Sequence, residues 1–134
     1  MVHTLMEAEN IYGLIHHEHL DRQAELPVVS TLGFQGDVAV LRSDVQAATP
    51  IPADGYPVVR GEVGGNTHLL VGDGFYDPHP GTSPRDLRLG VLTVPAGGTT
   101  MLSHPEHGAL LIAPGSYEVR RQREMADEVR MIAD

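Results

Sequence analysis

Three histidines in the second half of the chain have the residue type and spacing to do chemistry. His104 and His107 flank Pro105 and Glu106, and a proline at the second position of a type I turn brings the turn's ends within about 7 Å. Two imidazoles held that close can face a common ion. His68 offers a third ring, and three neutral imidazoles with an open fourth position describe a catalytic-type zinc or iron site, completed by Glu106 or by water. The expected metal ligands are therefore His68, His104 and His107, and the expected cofactor is a divalent transition metal: zinc, iron, nickel or manganese. The same residues also read as solvent-facing turn histidines. A second cluster, His16, His17, Glu18 and His19, puts His16 and His19 on one helical face. There they could bind a metal, switch charge near the ordinary histidine pKa of about 6.5, or form a solvated polar face.

The elements that must position these rings follow from periodicity. Leu5, Ala8, Ile11, Tyr12 and Ile15 recur at spacings of three and four, one face of a helix. Thr4 followed by Glu7 reads as a capping box, so a helix is expected to start near Leu5. Gly13 costs about 1 kcal/mol inside a helix, which allows a break there, and Pro27 ends the helical segment. From Val28 the pattern changes to short runs of Val, Leu and Thr divided by Gly, Pro, Asp and Asn, which predicts strands. The candidates are Val28–Leu32, Asp37–Arg42, Pro57–Val63, Thr67–Val71, Arg88–Val94, Ala109–Ala113 and Ser116–Glu124. Val63–Asn66 reads as a hairpin connection, Asp73–Arg85 as a loop, and Glu128–Ala133 as a further strand. The expected fold is mainly β, a small antiparallel sandwich or barrel over residues 27–134, with an N-terminal helical arm over residues 1–26.

Composition narrows the function classes. A length of 134 residues is one domain. The formal charge is −9, and all nine basic residues are Arg, which disfavours nucleic acid as a partner because phosphates need a basic surface. With no cysteine there is no disulfide framework, thiolate metal site or thiol nucleophile. Ser30, Ser43, Ser83, Ser103 and Ser116 all lie outside a Gly-x-Ser-x-Gly elbow, and no phosphate loop or dinucleotide fingerprint is present. No segment approaches the roughly 18 apolar residues of a membrane span. The opening Met1-Val2-His3-Thr4 lacks a signal peptide's basic region. The expected location is the cytoplasm, or a particle assembled there.

The stretch Pro95–Gly108, with five residues between Gly98 and His104, resembles part of the first motif of cupins. That resemblance implies a small β-barrel holding a metal through His and Glu. A broader likeness, over residues 35 to 134, is to small uncharacterised bacterial proteins. They share a Gln-Gly-Asp-Val strand (Gln35–Val38), a Gly-Glu-Val hairpin with histidine nearby (Gly61–Val63, His68), a His-x-x-His turn (His104–His107) and the ending Pro114–Glu124. This group implies no known activity.

Two functional readings result. The favoured one is a non-enzymatic β-domain acting as a structural or interaction subunit of a larger bacterial or bacteriophage assembly, its partners being other copies of itself or other subunits. Its interaction residues would be the apolar stripe Leu5, Ile11, Tyr12 and Ile15, which must pack on the protein's own β-body or on a neighbour, and the basic strand face Arg120, Arg121 and Arg123. The alternative is a cupin-like metal-binding protein or metal-dependent enzyme using His68, His104 and His107.

Overall fold

A computed structural model describes residues 2–14, 17, 19–59, 67–80 and 87–121. The one helix among these described residues, α1 (Leu5–Tyr12), starts as the capping signal requires: the Thr4 hydroxyl accepts from the Glu7 amide at 3.2 Å. The same hydroxyl donates to the Glu7 carboxylate at 3.1 Å. Gly13 ends the helix in the left-handed region at φ 65, a conformation with little cost only for glycine.

Ten strands follow: β1 (Val28–Val29), β2 (Leu32–Gln35), β3 (Val38–Arg42), β4 (Tyr56–Val59), β5 (His68–Gly72), β6 (Phe75–Pro78), β7 (Arg88–Val94), β8 (Thr100–His104), β9 (Gly108–Ile112) and β10 (Gly115–Arg121). They form two five-stranded sheets, ordered β1-β9-β8-β5-β4 and β2-β3-β10-β7-β6. Every pairing is antiparallel except β1 with β9. The protein is therefore mainly β, as the strand periodicity predicts, and of the two expected forms it takes the open one, without the closed barrel that the cupin resemblance implies.

Alternation along the strands sorts side chains into two cores. Val38, Val40, Leu70, Leu92, Leu102, Leu110, Tyr117 and Val119 fill the space between the sheets. On the outer face of the first sheet, Val71, Met101 and Ala109 pack against Val2, Leu5, Ala8 and Leu26 of the N-terminal segment. The surface that covers the Leu5 face is thus the protein's own β-body, and the arm adds a third layer. Its two limbs are tied together by Leu26 N–H to His3 O at 2.7 Å and Met6 N–H to Arg22 O at 2.8 Å.

Three sequence expectations are corrected. The run Val28–Leu32 is not one strand, because the chain crosses from the first sheet to the second between Val29 and Leu32. The expected loop Asp73–Arg85 contains β6, paired with β7 from Phe75 to Pro78. The stretch before the histidine turn contains β8, buried at every residue because the core lies on one side and the arm on the other. The expected hairpin connection Val63–Asn66, the last three residues of Ser116–Glu124, and the Glu128–Ala133 strand lie outside the described residues.

Candidate functional site

One end of the sandwich gathers the three expected histidines. His68 opens β5, His104 closes β8, and His107 sits in the three-residue connection to β9, which ends at Gly108 with φ 82. A type I turn followed by a left-handed residue is the ordinary way to close a hairpin of this length. The ring centroids of His68 and His104 are 4.3 Å apart, those of His104 and His107 4.4 Å, and those of His68 and His107 6.5 Å. His68 and His104 are buried, whereas His107 is exposed. Against them lies the turn of the β2–β3 hairpin. A Cβ on Gly36 would stand 3.1 Å from the His107 ring and 3.2 Å from His68, at a backbone φ of 56.

The hydrogen bonds fix two of the tautomers. Gln35 is buried at the end of β2, and its amide nitrogen donates across the sandwich to Leu102 O at 2.9 Å and to Gly108 O at 3.3 Å. Its carbonyl oxygen therefore faces His68 Nδ1, at 2.9 Å, and can only accept. His68 carries its proton on Nδ1 and keeps a lone pair on Nε2, the orientation that an outer carboxamide gives a metal-binding imidazole. Burial pushes the His68 pKa down to about 4, helped by His104 and His107 and opposed by Asp37. The ring is neutral at pH 7.

His104 has the opposite arrangement. Its Nδ1 accepts the backbone amides of Glu106 at 3.1 Å and His107 at 3.2 Å, so the neutral ring carries its proton on Nε2. Neither nitrogen then has a lone pair to give an ion, and among the described residues no group of three or more His, Asp or Glu side chains is arranged to hold a metal. For His104 to serve as the third ligand, the Pro105–His107 turn would have to release both amides.

A buried ionic network that spacing alone does not reveal lies behind the cluster. His17 sits between Glu9 Oε2, 2.8 Å from its Nδ1, and His104 O, 2.8 Å from its Nε2. Both contacts face oxygen acceptors, so both bonds form together only in the doubly protonated ring. The His17 amide also donates to Glu9 Oε2, and Arg22 Nε donates to Glu9 Oε1 at 2.6 Å. Burial raises the Glu9 pKa, but the His17 amide, the Arg22 guanidinium and the His17 ring outweigh it and bring the carboxyl down to about 2. His19 Nε2 adds a bond to Glu106 O at 2.9 Å. The arm is thereby tied to the backbone of the histidine turn itself. The signal available in sequence was a lone Glu on the apolar side of α1 and a His eight residues on. His16 and Glu18 lie outside the described residues.

The expected interaction residues divide. Leu5 is buried in the arm's own core and Tyr12 is half-buried against it. Ile11 is 60% exposed, while Ile15 and Arg123 lie outside the described residues. Arg120 and Arg121 are neighbours on β10, so their side chains leave opposite faces and do not make one basic surface. The apolar surface that is exposed lies elsewhere. Val28 is 63% exposed, Leu32 50% and Phe34 47%, and all three sit on the edge strands β1 and β2.

No curated protein and no solved structure matches the chain. A family model does match over residues 34–122, which hold Gln35, all three clustered histidines and every strand from β3 to β10. The chain belongs to the family described as a domain of unknown function, DUF8820.

Proposed function

We propose that this protein is a non-enzymatic β-domain that works by association, as a subunit of a larger bacterial or bacteriophage assembly. The carrying observation is the exposed apolar edge strand β2, with Leu32 and Phe34 on its outer face. Exposed apolar surface on a soluble domain marks a contact site when it is contiguous, and Leu32 and Phe34, two residues apart on β2, leave the same outer face of the second sheet, whereas Val28, opposite Leu111, leaves the outer face of the first. The tract from Leu26 to Gly36 contains no charged residue, in a chain that is 20% charged. Edge strands in monomers are usually protected by charge; this one is not. The arm supports the reading indirectly, since its Leu5 and Ala8 are occupied within the molecule while Leu32 and Phe34 of β2 are not.

The test is the native mass of the protein in extracts of its source cells. The wild type should run well above its 14.5 kDa chain mass, and the double variant Leu32→Lys, Phe34→Lys should fall toward it. Monomeric wild type in such an extract would overturn the proposal. The second reading, a metal-binding protein, is favoured by the mutual proximity of His68, His104 and His107. It predicts metal retained on purification and lost on replacing His104 and His107 with Ala.

A further inference from the structure

The hairpin geometry of β2 specifies a partner for this edge. The turn between β2 and β3 contains two residues, Gly36 and Asp37, with Gln35 opposite Val38. In a two-residue hairpin the flanking pair is hydrogen-bonded, and pairs alternate outward from it. Gln35 and Gly33 therefore turn their N–H and C=O toward β3, and Thr31 does likewise, accepting from Arg42 N–H at 2.8 Å. Leu32 and Phe34 turn theirs away from β3, toward the open side of the sheet. Among the described residues no group pairs with them. The two residues with unmet backbone groups are the same two whose large apolar side chains are exposed.

We infer that β2 pairs antiparallel with β2 of a second copy, about a twofold axis at Gly33, joining the two second sheets into one of ten strands. This rests on the association reading above and names the partner. An antiparallel partner exchanges both backbone bonds at each hydrogen-bonded pair, so with Gly33 opposite its own counterpart, each Leu32 faces a Phe34 across the axis. Four backbone bonds form, and each Leu side chain lies beside a Phe on the same face. Gly33 puts no side chain at the axis. The strand is thus its own complement, which a twofold contact demands. Charge points the same way: two chains of net charge −9 repel, and the 11-residue tract Leu26–Gly36 is a neutral place for them to meet. A basic peptide partner would find no carboxylate within that tract.

The experiment uses the isolated full-length chain. Sedimentation should show monomer giving way to dimer as concentration rises from about 10 µM to about 1 mM, since a short edge contact buries little area. Over the same range, amide exchange at Leu32 and Phe34 should slow by about tenfold, while Gly33 and Gln35, already bonded to β3, should stay unchanged. Phe34→Lys, checked for an unaltered circular dichroism spectrum, should abolish both effects. A monomer at every concentration, or a dimer in which the Leu32 and Phe34 amides gain no protection, overturns the inference. If that monomer is still found in a larger particle in cell extracts, only the second-copy pairing fails; if it is monomeric there too, the association reading fails with it.

Discussion

Replacing Glu9 with Gln probes the lock between the arm and the β-body. The substitution keeps the size and the hydrogen-bonding oxygen but removes the charge that Arg22 and the His17 ring face. The folded-state pKa of about 2, against an ordinary value of 4.5, is a shift of roughly 2.5 units, and at 1.36 kcal/mol per unit it corresponds to about 3 kcal/mol. The Glu9 side chain is fully buried, so solvent screening takes little from this figure. Because the folded pKa is depressed, the contribution is complete above pH 4.5 and is lost as pH falls through 2. Urea denaturation of wild type and Glu9→Gln across pH 2 to 7 reads the difference directly. The expected gap is about 3 kcal/mol at pH 7, in the range for breaking a buried ion pair, and it should close between pH 4.5 and pH 2. A gap below about 1 kcal/mol at pH 7, or one that does not change with pH, would show that the Glu9 charge does not hold the arm to the β-body.

Other outcomes follow from the same geometry. His68, with a folded pKa of about 4 against 6.5, should cost the wild type about 3 kcal/mol as pH falls from 6.5 toward 4, and His68→Asn should flatten the stability curve over that window. Gln35→Leu leaves His68 Nδ1 and the Leu102 and Gly108 carbonyls without their partner, so it should lower stability by about 3 kcal/mol at pH 7 in a urea titration. Leu5→Ala, at a side chain buried under the arm, should cost about 3 kcal/mol without changing the oligomeric mass; a drop in mass instead would place Leu5 in an intermolecular contact.

What was legible in the sequence was what periodicity and capping encode. The Thr4 cap, the Gly13 stop, β3 and β7 are where those rules put them. β8 escaped because Thr100–His104 is covered on both faces and so shows no alternation, and a buried run without alternation does not declare its period. β6 escaped because Asp77, Pro78 and Pro80 carry turn signals, although an edge strand tolerates proline at its end. His68, His104 and His107 were found by residue type and turn spacing, and they do meet. Gln35 and His17 do not declare themselves as parts of that site, because the contacts joining them to it span 33 to 87 positions of sequence. The exposure of Leu32 and Phe34 was equally hidden, since an apolar strand residue reads as core until the sheet order shows which strand is at the edge.

Carbene footprinting of the protein in source-cell extract, compared with the purified chain at low concentration, reads whether β2 is covered in the cell. If the domain works by association through β2, Leu32 and Phe34 should be labelled in the dilute chain and shielded in the extract, while exposed Ile11 and Val45 are labelled in both. Equal labelling of Leu32 and Phe34 in the two states would rule out β2 as the contact.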